Sequence, residues 1–447
     1  MASGSQSLTA IATQLLESAK VIDAYLEEHK LPPISISAGA SPDFPVPPSE
    51  KNVHAARQLI LDLSEALSEN VLGARDLLVE CSWGGHHTSS AMRAISSFEL
   101  YANVPESGSA TFEQIASKTN PPLAVGFVKT ILRYAMTQGV FCEPRPGHVA
   151  HTAPSLLLLK DPLARAFVAN NADEVFPAAA KTADAMRKWP DAEAPNHTGL
   201  QLAYGTDKGM FEWYASDEGE AKGRMAKFAG SMQFWSAGEG FLAKHVVKGF
   251  DWGSLPENGL VVDVGGGSGH ISIAIAEANP SLRLIVQDLP GQSEQALAEA
   301  KVNESGLISS GRLDFKPANF FAPQPDWLEA ESVDAYFLRY IFHDWNDEHC
   351  IKILRTLLTS GKLKKGGRIV LAESVIPPPE AAPHLPKTVL KSIRRLDMQM
   401  LTVLGSHERT LDDWQELFFR ADPRLKIEEV NQPEGSVCTM LAARLQS

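Results

Sequence analysis

Apolar residues in this chain follow two regimes. In the first half they step by three and four, and in the second they gather into short continuous runs. Leu8, Ile11, Leu15, Ala19, Ile22 and Leu26 share one face of an amphipathic helix ending near Glu28, suited either to a partner surface or to capping its own domain. Val53 to Leu78 repeats the pattern through Ala56, Leu59, Ile60, Leu63 and Leu67. Between the two, residues 31–50 hold Pro32, Pro33, Pro42, Pro45, Pro47 and Pro48, which favours an extended linker. Thr111 with Gln114 three residues on predicts a capping box, and Pro121-Pro122 predicts the start of a second helix through Val125, Val128, Ile131 and Leu132. Val140–Glu143 and 148–152, on either side of a Pro/Gly turn, read as a hairpin. Two short helices and a hairpin predict a winged helix-turn-helix. Residues 156–248 read as mostly helical. Phe211, Met225, Phe228, Met232, Phe234 and Trp235 there suit a core, or alternatively a pocket for an aromatic ligand.

The second regime begins near Phe250. Candidate strands at 260–264, 283–287, 312–315, 333–338 and 368–372 alternate with helical stretches, which predicts a parallel, doubly wound α/β sheet. The stretches 425–430 and 436–443 are separated only by a turn, so they close the sheet as an antiparallel hairpin. The fold expected is thus a Rossmann-like sheet behind an N-terminal all-α and winged-helix part. Its divisions are 1–30 (helix), 31–50 (linker), 51–155 (winged-helix dimerisation domain), 156–248 (helical connection lining a substrate pocket) and 249–447 (catalytic domain).

The densest signal is Leu260-Val-Val-Asp-Val-Gly-Gly-Gly-Ser-Gly-His270. A buried strand enters a glycine turn, and helical spacing resumes at Ile271. Gly265, Gly267 and Gly269 let the backbone turn sharply and approach a ligand. The dinucleotide fingerprint requires glycine at the sixth position of the turn, where this chain has His270. Asp263 precedes the turn, and Asp288 follows the next strand, where an acid can bind both hydroxyls of a ribose. Acids without a phosphate cradle suit a cationic nucleoside, which points to S-adenosylmethionine as the cofactor.

A second cluster is Val333-Asp-Ala-Tyr-Phe-Leu-Arg-Tyr-Ile-Phe-His-Asp-Trp-Asn-Asp-Glu-His349. Asn346 can cap the helix that follows, so His343 and Asp344 fall just past the carboxyl end of a strand, on the ligand-bearing edge of such a sheet. A histidine there can serve as general base. Glu373 ends the next strand and Glu408 precedes a helix opened by Thr410; either carboxylate could fix the tautomer of His343. Taken singly, each is an ordinary loop histidine or capping acid, and the case rests on their joint placement. His407 is a further base candidate, on a loop that follows a helix, whereas His349 suits a solvated or packed role.

Charge and composition narrow the picture. A net charge of −13, and Glu99, Glu106, Glu113 and Glu143 around the winged-helix motif, argue against nucleic acid and for a dimerisation and substrate-lid role. Cys81, Cys142, Cys350 and Cys438 show neither metal-ligand nor disulfide spacing, so no metal is expected and a reducing cytoplasm is. Residues 1–6 lack a basic stretch leading into an apolar core, so no secretory leader is expected, and no apolar run is long enough to span a bilayer.

The segments LVVDVGGGSGH … VQDLP (260–290), FLRYIFHDWNDEH (337–349), LAESVIP (371–377) and GSHERTLDDW (405–414) resemble the plant and fungal small-molecule O-methyltransferases of the caffeic-acid type, and the chain is most similar to fungal members that act in natural-product formation. The resemblance implies a homodimer built on the N-terminal domain and metal-independent methylation of a phenolic or enolic hydroxyl on an aromatic or polyketide-type acceptor. It implies His343 as base, flanked by Glu373 and Glu408 and supported by Asp344. It implies a cofactor site of Asp263, Gly265, Gly267, Gly269, Asp288, Leu289, Asn319, Phe320 and Arg339, with Asp288 on the ribose. Asn319 stands where the family usually has Asp, and Arg339 where plant members often have Lys. An alternative within the fold is a pericyclase or dehydratase that binds S-adenosylmethionine without transferring methyl, for which Arg339, His86 and His87 are candidates. A third possibility, an acidic winged-helix regulator that senses S-adenosylmethionine, has no use for the base set.

Overall fold

The computed structural model describes residues 7–190, 194–330, 332–378, 381 and 385–446. The reading of residues 1–6 lies outside them.

Seven strands form the central sheet: β1 (Leu260–Val264), β2 (Arg283–Asp288), β3 (Leu313–Pro317), β4 (Val333–Arg339), β5 (Leu363–Glu373), β6 (Leu425–Asn431) and β7 (Thr439–Leu445). Their order across the sheet is β6-β7-β5-β4-β1-β2-β3. The first five run parallel, β7 pairs antiparallel with β5, and β6 with β7. From β1 the chain moves outward to β2 and β3 on one side, then returns to β4 and β5 on the other. The order reverses beside β1, so a crevice opens past the carboxyl ends of β1 and β4.

Every residue of β1 is buried, because apolar cores cover both faces of the sheet. Val261 joins one core, under helices 270–278 and 290–303; Leu260, Val262 and Val264 join the other, under helices 347–359 and 411–421. β5 starts five residues earlier than its apolar run predicts. Leu363 pairs with Val333 before an irregularity resets the register to Ala335 opposite Arg368. β7 starts three residues later than predicted, because the Ser436 hydroxyl donates to the Cys438 carbonyl and accepts from its N–H, closing a turn ahead of the strand.

In the N-terminal part, helices Leu8–Glu28 and Lys51–Val79 pack on each other through Ile22, Leu26, Val53 and Ala56. The first helix therefore has a place within its own chain. Residues 31–50 are extended, as their prolines predict, but not free. Ser37 bridges Thr152, Ile36 O accepts from Ala153 N, and Val46 is buried. The second short helix begins at Val125 and not at Pro121, because the Thr119 hydroxyl donates to Pro121 O and accepts from Leu123 N, holding that stretch as a loop. The Thr111–Gln114 capping box forms. Cys142–Arg145 and His148–Ala150 make the hairpin, and Ala110–Thr111 adds a third strand that the pattern does not announce. Residues 156–188 and 199–249 are helical segments, in which Trp213 and Tyr214 are core while Trp235 stays exposed. Among the described residues, no helix is long and apolar enough to cross a membrane.

Candidate active site

The glycine turn folds back on β2: Gly265 and Gly266 both donate their N–H to Gln287 O, at 2.7 and 3.1 Å. Gly265 has a φ of 74°, and a side chain there would meet Ile341 at 2.6 Å, so only glycine fits. Gly267, with a φ of 57°, has open space where a side chain would stand. Gly269, also at positive φ, abuts Phe315 and caps helix 270–278. The backbone thus leaves room at the centre of the turn.

The acids divide their work. Asp288 accepts from Gly267 N at 2.9 Å and from Leu289 N at 2.7 Å. Burial raises its pKa, against the pull of those two donors. Asp263 lies beneath the turn, 2% exposed, where it accepts from the Ser272 hydroxyl at 2.7 Å. Burial pushes it up to about 7. It therefore ties the turn to the helix behind it. Leu289 is exposed, Phe320 flanks Gly265, and Asn319 uses its side-chain oxygen to hold Phe321 N at 2.9 Å. Arg339 ends β4, donates from Nη2 to Phe241 O at 3.2 Å, and keeps a buried Nε–H with no partner. A buried donor of this kind calls for an acceptor. A crevice at Gly267, carboxylate oxygen at Asp288 and an unpaired Arg339 donor fit a nucleoside that also carries an amino acid carboxylate.

His343 stands on a short turn, Phe342–Asp344, four residues past the end of β4, and is 12% exposed. Its Nδ1 lies 3.0 Å from Glu408 Oε1, and its Nε2 lies 3.3 Å from Asp344 Oδ1. The Tyr340 ring packs 5.0 Å from the imidazole, and Tyr340 itself has a φ of 51°. Glu373 does not reach the ring. Its Oε1 accepts from Ile341 N and Phe342 N, at 3.0 and 2.8 Å, so it fixes the backbone that carries His343. Burial alone would lower the imidazole pKa, but the charges of Asp344, Glu408 and Glu373 outweigh it and push it up to about 10. Burial pushes Glu373 up to about 7 and Asp344 up to about 6, each against the pull of His343.

The structure thus brings His343 and Asp344 on one turn, Glu373 at the end of β5 and Glu408 on a loop together. His349 bonds Asn346 and stacks on Trp345, and His407 lies 3.9 Å from Asp347. His86 and His87 are exposed on helix 85–97, rings together at 4.1 Å. Two contributors escape sequence reasoning. Asp397 accepts from Glu408 N at 3.0 Å and steadies that loop. Phe241, whose carbonyl holds Arg339, lies 6.1 Å from Tyr340 and 6.0 Å from Trp235, which stacks on Phe167. The aromatic spacing around residue 235 was the only signal for this wall.

Comparison with known proteins agrees with this geometry. Residues 190–422 match the model of the O-methyltransferase domain family. The O-methyltransferase aurJ of Gibberella zeae is 32% identical over 98% of this chain and 97% of its own length. The O-methyltransferase VdtC of Byssochlamys spectabilis is 34% identical over 96% of each. Among solved structures, OxaC, also crystallised with SAH and oxaline, superposes with a TM-score of 0.72 at 19% identity, covering 98% of this chain and 99% of OxaC. The mitomycin 7-O-methyltransferase MmcR does so with a TM-score of 0.62 at 21% identity, covering 86% and 99%.

Proposed function

The chain belongs to the O-methyltransferase family, and from that premise we propose how its cleft carries out S-adenosylmethionine-dependent methylation of a hydroxyl on a small aromatic or polyketide-type acceptor. The observation that carries this reading is the His343–Glu408 contact at the same sheet edge as the glycine turn. Bound S-adenosylmethionine supplies a methyl group on a sulfonium, an electrophile that is already activated.

Asp288 would hold the ribose hydroxyls on the lone pairs left by Gly267 and Leu289, and Arg339 would give its unpaired Nε–H to the methionine carboxylate. Gly265, Gly267 and Gly269 give the backbone its close approach, and Asp263 holds their turn. Phe320, Leu289 and Asn319 border the adenine side, where the Asn319 oxygen keeps a lone pair for the exocyclic amine.

On the acceptor side, Glu408 accepts a hydrogen bond from Nδ1–H, so Nε2 is the ring atom that meets the acceptor hydroxyl. The hydroxyl replaces Asp344 as the neighbour of Nε2. A phenol, with a pKa near 10, meets an ordinary imidazole about three units less basic than its own phenolate. Glu408 and Glu373 raise the proton affinity of the ring and so narrow that gap once the hydroxyl stands in the place of Asp344. The resulting imidazolium, held by Glu408, keeps the acceptor oxygen in place, and alignment of the two reactants supplies much of the acceleration. Tyr340, Phe241 and Trp235 give a flat acceptor its aromatic wall. The alternative of cofactor binding without methyl transfer is not favoured, since it leaves this base and its partner without a task.

The N-terminal helices would pair two copies. Val71 before the break at Gly73, and Leu78, Val79 and Trp83 after it, are exposed, and this apolar surface suits an interface between protomers. The four cysteines are free thiols, consistent with the cytoplasm. Incubation with methyl-labelled S-adenosylmethionine and a set of small phenols tests the reading. Label should enter an acceptor as a methyl ether, and consumption of an acceptor into an unlabelled isomer or dehydration product would contradict it.

A further inference from the structure

Arg409 follows Glu408, and its side chain is fully buried. Nη1 donates to Phe342 O at 3.0 Å and Nη2 to Trp345 O at 2.9 Å. Nε and Nη2 both donate to Asp347 Oδ1, at 3.0 and 2.8 Å. The two carbonyls bracket His343 and Asp344. The backbone of Arg409 pairs with Val375, two residues beyond Glu373. One residue therefore fastens the loops that carry His343, Glu373 and Glu408.

We propose that Arg409 is a positioning residue that sets the separation between Glu408 and His343. The proposal rests on the reading of His343 as proton acceptor. Desolvating a guanidinium is costly, and an apolar side chain would fill the same space without that cost. What the guanidinium adds is a rigid planar fork that engages two carbonyls and a carboxylate at once, which the single ammonium of lysine does not match. Adjacent residues 408 and 409 face opposite ways, so Glu408 grips the ring while Arg409 grips the backbone beneath it. Asp344, Glu408 and the Tyr340 ring face His343 directly, and Glu373 acts on it through charge. None of these changes identity in an Arg409 variant.

The test is full-length Arg409→Lys with ring-labelled histidine, titrated by NMR and assayed for label transfer. His343 should titrate about one pH unit or more below wild type as its grip on Glu408 loosens. Transfer at saturating S-adenosylmethionine should fall about tenfold or more, with cofactor affinity within about twofold. In a Glu408→Gln background the same substitution should leave the His343 titration unmoved, because the partner it positions is gone. An unmoved His343 titration with only a lowered Tm would make Arg409 a purely structural residue and overturn the proposal. If Arg409→Lys does not fold, Asp347→Asn weakens one anchor of the fork and leaves both carbonyls, and the same two readouts decide in the same sense. A shifted titration alongside a wild-type enzyme that methylates no acceptor would support the positioning role and defeat the functional reading.

Discussion

The two halves of the cleft are built by different means. The glycine turn is backbone architecture. Its N–H groups, positive φ angles and open space at Gly267 come from eleven consecutive residues and the end of the adjacent strand. The His343 half is side-chain architecture, drawn from a turn at residue 343, the end of β5 at 373 and a loop at 408, and held by Asp397 and Arg409. A backbone site is spelled locally and fails when one glycine gains a side chain. A convergent site fails when any of several distant supports gives way. Substitution in one half should therefore leave the other measurably intact.

On the cofactor side, the largest departure is expected from Gly265→Val. A β-branched residue at a φ of 74°, against Ile341, combines left-handed strain with a direct clash, which together amount to about 3 kcal/mol. Cofactor affinity measured by calorimetry should fall about a hundredfold or more, while the His343 NMR titration stays in place. Loss of both together would show that the halves are not separable.

Glu408→Gln sharpens the other side. Transfer should fall about tenfold to a hundredfold, with cofactor affinity unchanged. The same variant has a pH signature. The folded pKa of His343 is raised above its unfolded value near 6.5, so its contribution to stability is fully present below pH 6.5 and is lost as pH rises through about 10. The Tm advantage of wild type over Glu408→Gln should accordingly shrink between pH 6.5 and 10 in scanning fluorimetry. An advantage constant across that window would mean that His343 gains no charge from its carboxylates.

Gly267→Ala is milder. A side chain there meets no protein atom; its left-handed backbone cost of about 1–2 kcal/mol lowers the Tm, and its methyl enters the space the cofactor takes, so cofactor affinity should fall about tenfold. Asn319→Asp should change least, tightening the cofactor about threefold or less through a stronger acceptor for the adenine amine. A change of a hundredfold there would mean that Asn319 does more than border the base.

The same contrast governs what the sequence reveals. Leu260 to His270 is contiguous, so its strand, turn and missing sixth glycine are all readable, as is the doubly wound order of β1 to β5. His343 is readable as a histidine at a strand end, and Glu408 as an acid on a loop. Their 3.0 Å contact depends on how helix 387–403 returns the chain to the sheet edge, which no local pattern encodes. Glu373 shows the limit most clearly. Its position is legible, but its carboxylate serves the Ile341 and Phe342 N–H groups and not the imidazole, because the backbone after β4 turns those donors toward it. The linker is a milder case. Prolines announce its extended shape, but Ser37 meeting Thr152 is a tertiary contact.

The most direct test is His343→Ala, measured in one preparation for cofactor affinity by calorimetry and for methyl transfer to the true acceptor at saturating S-adenosylmethionine. The expected result is affinity within about twofold of wild type and transfer slowed about 10²- to 10⁴-fold. Transfer at the wild-type rate would contradict the assignment of His343 as the base.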